Sequence, residues 1–103
     1  MPQGPLVLQA IPYPALKNKL NITVPTLVKL GAGNVISVIV QVAGSGLGTV
    51  NDAATTGTAA IGNQIAVIPE TVGPVQLPDR GFPFTAGLVI VPGAGQTFSV
   101  AYQ

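Results

Sequence analysis

The 103-residue sequence contains no cysteine, no histidine and no tryptophan, and only seven charged side chains. Without cysteine there are no disulfides, zinc knuckles, iron–sulfur ligands or thiol nucleophiles, so burial and hydrogen bonds must stabilise the fold alone. Without histidine, the usual general base at neutral pH and the commonest transition-metal ligand are both missing. Three carboxylates (Asp52, Glu70, Asp79), four cations (Lys17, Lys19, Lys29, Arg80) and hydroxyls remain. No nucleophile, base and orienting group can be assembled from them, so no enzymatic activity, cofactor or small-molecule substrate is expected. A net charge of +1 from dispersed basic residues cannot neutralise the phosphates on which nucleic-acid affinity depends, which disfavours nucleic acid as a partner.

Long hydrophobic runs are lacking too. The most apolar stretch, Val35 to Ala43, contains Ser37 and Gln41 and is about half the length a membrane-spanning helix needs, so no membrane partner is expected. The N-terminal apolar residues are broken by Pro2, Pro5, Pro12 and Pro14 and follow no basic region, so no secretory signal is expected.

What is present is apolar and turn-rich: 48% hydrophobic residues, 13 glycines and 10 prolines. Disordered chains are rarely this hydrophobic, and the length fits one folded domain. The prolines fix φ and push their predecessors toward extended backbone, so residues 1–18 read as an extended N-terminal arm ahead of a domain at 19–103. The arm's uncharged apolar residues Leu6, Val7, Leu8, Ile11, Tyr13 and Leu16 need a surface to lie on. That surface is either their own domain or a partner, where Tyr13 would serve as an aromatic anchor.

From Asn21 onward, short runs of β-branched residues alternate with Gly, Pro and Asn clusters, the pattern of an all-β sandwich or barrel. Ile22, Val24, Thr26, Val28 and Leu30 are read as one face of a first strand, with Pro25 at an edge or bulge. Val35 to Ala43 is the strongest strand, with Ile36, Val38, Val40 and Val42 on one side and Val35, Ser37, Ile39 and Gln41 on the other. Leu47 to Asn51 reads as a short strand, with a one-turn helix over Asp52 to Thr56 as the runner-up. Gln64 to Ile68 is a strand, and Thr71 to Leu77 a further one interrupted by Gly73-Pro74. Pro78-Asp79-Arg80-Gly81 has the residues of a β-turn. Leu88 to Val91, Pro92-Gly93-Ala94-Gly95 and Thr97 to Gln103 read as a hairpin. Seven or eight such strands fit an antiparallel β-sandwich of jelly-roll or Greek-key type.

Few of these residues carry chemistry. Asn51-Asp52 begins a calcium loop but nothing continues it, so no metal is expected. Gly44-Ser45-Gly46-Leu47-Gly48 lacks the lysine of a phosphate loop and reads as a flexible connection. Thr55, Thr56 and Thr58 have no activating base nearby. Phe84, Phe98 and Tyr102 are read as core aromatics, and Phe82 also, although Arg80 and Phe82 are carried as interface candidates.

The scarcity of charge is the most telling feature. A compact chain of this mass exposes roughly 5,000 Å², about one charge per 700 Å², where an average composition would supply about 25 charges. Such a surface pairs with other molecules unless something covers it, which points to an obligate assembly component that includes copies of itself.

The segments VISVIVQVAGSGLGTVNDAATTG, GNQIAVIPETVG and TAGLVIVPGAGQTFSVAY, together spanning much of residues 33–102, resemble small head-associated proteins of tailed bacteriophages and prophages. The resemblance is to capsid decoration or cement proteins. It implies a small β-sandwich subunit on the outer surface of the virion capsid, a structural role, and the major capsid protein as partner. The alternatives are another virion subunit (tail, collar or fibre-associated) and a glycan-binding β-sandwich module, against which the scarcity of aromatic platforms counts.

Overall fold

The computed structural model describes residues 16–78 and 81–103. The described strands are, in chain order, β1 (Lys17–Ile22), β2 (Thr26–Leu30), β3 (Gly33–Val42), β4 (Gly48–Asp52), β5 (Gln64–Ile68), β6 (Gly73–Pro74), β7 (Phe82–Phe84), β8 (Gly87–Val91) and β9 (Thr97–Tyr102). They form two antiparallel sheets. One is five-stranded, ordered β1-β9-β3-β6, with β7 beside β6 on the same flank of β3; the other is four-stranded, ordered β2-β8-β4-β5.

The sheets face one another because each has one apolar face that must leave water. Val35, Val38, Val40, Phe98 and Val100 from the larger sheet meet Val50, Ile68, Leu88 and Ile90 from the smaller, with Ile22 and Phe84 completing the cluster. Each such side chain contributes about 1.5–3 kcal/mol by its burial, and with no cysteine in the chain this core is the main source of stability.

Local details depart from the sequence reading. The strand expected across Ile22–Leu30 is two strands in different sheets: the chain turns a corner between β1 and β2. Pro25 cannot donate to a ladder, and Asn21 sits at φ 55°, a left-handed backbone that asparagine tolerates better than most residues. Val24, expected on the shared apolar face, is therefore exposed at that corner. β1 begins at Lys17, two residues before the boundary read from the sequence.

In β3 the alternation slips. The pairing with β9 shifts register between Val35 and Ser37 and again between Val40 and Val42. The first bulge puts Val35 on the core face with Val38 and Val40, and the second turns Val42 out to solvent. Of the strand expected over 71–77, only Gly73-Pro74 pairs, on the flank of β3, and Phe82–Phe84 supplies an edge strand not anticipated.

The expected hairpin is not one. β8 pairs with β2 and β4, whereas β9 pairs with β1 and β3. A hairpin would line Leu88, Ile90, Phe98 and Val100 along one sheet. Sending the strands to opposite sheets sets these four side chains against each other across the core.

The crossing is held by Gln96, whose buried side chain accepts from the Gly93 amide at 2.8 Å and donates to the Pro69 carbonyl at 2.7 Å. Gly93 lies directly against the Gly46 and Leu47 backbone, with no room for a Cβ, and the Ser45 amide donates to the Ala94 carbonyl at 2.9 Å. The Gly44–Gly48 segment, read as a flexible connection, is thus a packed one.

Candidate functional site

The two outer faces of the sandwich are finished differently. On the four-stranded sheet, Leu27, Val89 and Asn51 share a row across β2, β8 and β4 that points away from the core. Val89 is nevertheless fully buried, because the segment from Ala53 to Asn63, with two single 3₁₀ turns at Thr56–Thr58 and Ile61–Asn63, folds back over β8.

Asn51 anchors that segment. Its buried amide donates to the Ala60 carbonyl at 3.0 Å and to Asn63 Oδ1 at 2.9 Å, and its oxygen accepts from Thr49 Oγ1 at 2.7 Å. Asn63 in turn donates to the Thr58 carbonyl and accepts from the Ala60 amide. Asparagine suits the position because one side chain supplies two donors to a loop without regular pairing while its oxygen is fixed by Thr49 of the same strand. At the apex Ile61 points into solvent, 85% exposed.

Asp52, next in sequence, staples the same strand to the β7–β8 connection. Its carboxylate accepts from the amides of Thr85 (3.0 Å), Ala86 (2.7 Å) and Gly87 (3.3 Å) and from the Thr85 hydroxyl (3.3 Å). Burial works to raise the pKa of this carboxyl, but the amides of Thr85, Ala86 and Gly87 and the Thr85 hydroxyl outweigh it and hold it below the ordinary carboxylate value. The one-turn helix weighed over Asp52 to Thr56 does not form: Asp52 ends β4, and its carboxylate is a structural acceptor. Among the described residues, no three acidic side chains come together in a way that would hold a metal ion.

The outer face of the five-stranded sheet has no such cover among the described residues. Asn18 and Leu20 of β1, Ser99 and Ala101 of β9, and Ser37 and Ile39 of β3 line a shallow depression of about 140 Å³. Leu20 is 58% and Ile39 44% exposed, and none of the six side chains is charged. A small polar contact, Ser99 Oγ donating to Gln41 Oε1 at 2.6 Å, continues the same face. None of the six side chains ionises, and the lining offers a shallow, uncharged surface of short polar and apolar side chains.

Of the residues singled out from the sequence, Leu6, Val7, Leu8, Ile11, Tyr13 and Arg80 lie outside the described residues. Leu16 is exposed just before β1, and Phe82 is 38% exposed on β7. They sit at the same end of the larger sheet but on opposite edges, since Lys17, Tyr102, Val35 and Phe82 form one row. Three strand spacings, roughly 14 Å, separate them. Phe84 and Phe98 are in the core and Tyr102 packs against it.

Leu20, Ile39 and Ile61 were missed. The Asn18–Leu20 and Ser37–Ile39–Gln41 alternations carried the signal for the first two. Nothing local marks Ile61. Comparison with protein families, curated proteins and solved structures finds no match to this chain.

Proposed function

We propose that this protein is a structural virion subunit of the decoration or cement type, bound to the outside of a tailed-phage head, where it stabilises contacts between capsomers. The observation that carries the reading is the outer face of the five-stranded sheet, which is charge-free and uncovered among the described residues, together with seven charges in the whole chain. A soluble monomer normally protects such a face with charge, and a subunit held permanently against neighbours has no need to.

The strand order supports a jelly-roll winding for the sandwich. β1-β9-β3-β6/β7 facing β2-β8-β4-β5 is the arrangement produced when an eight-strand ribbon folds over as two Greek keys, with the short β6 and β7 together filling one strand position. Jelly rolls build viral capsid domains, and they also build lectins and cupins, so the winding is compatible with the reading without deciding it.

The mechanism is mechanical. Packaged genome presses capsomers apart, and a subunit that binds only the closed junction adds its binding free energy to the closed shell. Repetition over the lattice converts modest contacts into firm attachment through avidity. The arm residues Leu6, Val7, Leu8, Ile11, Tyr13 and Leu16 supply a second contact to the partner, with Arg80 and Phe82 as further interface residues.

The test is placement. Gold-labelled antibody against the chain, applied to phage particles produced by the strain that encodes it, is expected to mark the head uniformly. Label confined to a vertex or tail overturns the cement reading, and label absent from particles overturns the virion reading. Deletion of residues 1–16 is expected to leave the sandwich folded and to lower its occupancy on heads at least tenfold.

A further inference from the structure

The depression on the five-stranded sheet has a direction. β9 runs between β1 and β3, and the side chains it contributes to the floor, Ser99 and Ala101, are short. Asn18 and Ser37 pair with Ala101 from either side, Ile39 pairs with Ser99, and Leu20 follows the Lys19–Val100 pair. The result is a channel along β9, walled by Leu20 and Ile39 two strand spacings apart, about 10 Å. One extended chain fits that width. The volume of about 140 Å³ holds one large side chain, since a cavity of about 150 Å³ takes a benzene ring. Neither Lys17 nor Lys19 lines the channel.

The segment that precedes the described residues joins the domain at the mouth of this channel. Leu16 is exposed, and Lys17 after it pairs with Tyr102, one residue beyond the Asn18–Ala101–Ser37 row. Residues 1–15 contain no charged side chain and carry Leu6, Val7, Leu8 and Ile11 within six consecutive positions.

We propose that residues 6–11 of the same chain dock in this channel, antiparallel to β1, with Leu8 seated over Ser99 between Leu20 and Ile39. The reach is sufficient. A chain laid on a sheet face sits about 10 Å above it, and the step from β9 to β1 is one strand spacing, so residues 12–16 must span roughly 11 Å and extend to about 16 Å. Tyr13-Pro14-Ala15-Leu16 places proline at the second position of a β-turn, where its fixed φ favours the reversal.

The spacing fits as well. Alternate side chains of an extended segment lie about 7 Å apart, the same interval as the outward rows of the sheet beneath. With Leu8 over Ser99, Ala10 falls on the Ala101 row, where the channel is narrowest in depth of side chain, and Leu6 falls over Thr97. The chain's own segment is favoured over a free one because attachment at residue 16 gives it an effective concentration of about millimolar.

The inference concerns the free chain and uses the assembly reading in no step. Where that reading holds, the head surface displaces residues 6–11 from the channel and releases the arm for its second contact. The test therefore uses the purified full-length chain with no phage particles present, so that its failure is separate from failure of head binding.

The absence of native cysteine allows a clean proximity measurement. Val7→Cys is combined with Gln41→Cys at the far end of the channel, and in a control protein with Thr56→Cys on the loop over the other sheet; both pairs are treated with a short bis-maleimide. The channel pair is expected to cross-link within one chain, at the 10.3 kDa monomer mass, at least tenfold faster than the control pair and at a rate independent of protein concentration. Adding Leu8→Asp, which lies outside the sandwich and spares its core, is expected to remove that advantage. Equal rates for the two pairs, or a channel pair indifferent to Leu8→Asp, overturns the proposal. So does a product joining two chains whose yield rises with concentration, which would make the arm of a neighbour the occupant.

Discussion

The two outer faces of this sandwich obey the same strand geometry and end up in different states. On the four-stranded sheet the chain spends eleven residues, 53–63, on a loop that dries Val89 and is pinned through Asn51. On the five-stranded sheet, Leu20 and Ile39 stand half in water, with short uncharged neighbours among the described residues. The difference shows that low charge alone does not leave a face open: among the described residues, this chain covers one apolar face with its own backbone and leaves the other uncovered.

The comparison breaks most visibly with matched substitutions. Val89→Asp buries a carboxylate under the loop, and is expected to cost about 3–5 kcal/mol in urea unfolding, or to prevent folding. Ile39→Asp, at an outward position on β3, keeps its carboxylate in water and is expected to change stability by only about 0.5 kcal/mol. Similar losses at both sites would mean that the two faces are equally buried and that the open-face argument for function is unfounded.

Asn51→Ala tests the pin itself. It removes two donors and one acceptor from a buried site, and a lost partner at such a site costs about 1–3 kcal/mol. The loss should concentrate in the loop: amides at 58–63 are expected to exchange faster by tenfold or more, while those of β9 change only as far as global stability does. Uniform acceleration throughout the molecule would instead make Asn51 an ordinary core residue.

How much of this could be read beforehand divides along the range of the interactions. The strands at Gln64–Ile68 and Thr97–Tyr102, and the two-sheet architecture, are legible because β-branched runs between glycine and proline clusters are local signals. The phase slip in β3 is not, since a bulge at Ile36 depends on what β9 presents opposite it. The Leu88–Val91 and Thr97–Gln103 pair carries every local mark of a hairpin, and only the shared need of Leu88, Ile90, Phe98 and Val100 for an opposing sheet separates the two strands. The open face was half legible in the alternation of Ser37, Ile39 and Gln41. The loop over Val89 was not legible, because Asn51 and Asn63 read as turn residues until the fold sets them 2.9 Å apart.

Asp52 gives the smallest expected effect at neutral pH and the sharpest one in acid. Asp52→Asn keeps one acceptor oxygen for the Thr85–Gly87 amides, so it removes the charge from these hydrogen bonds without removing all of them. In the native chain the folded carboxyl titrates below its unfolded value of about 3.9. The unfolded state then binds the proton first as pH falls, so the contribution of Asp52 is complete above about pH 4 and is lost as pH drops through the lower folded value. Urea midpoints measured from pH 6 down to pH 2 are expected to fall for the native chain and to fall less steeply for Asp52→Asn. Because Asp52 ties β4 to the β7–β8 connection and Asn51 beside it holds the covering loop, acid should loosen the covered face before it affects the open one. Equal slopes for the two proteins would show that this staple is formed with the carboxyl unshifted and that the covered face owes its order to Asn51 alone.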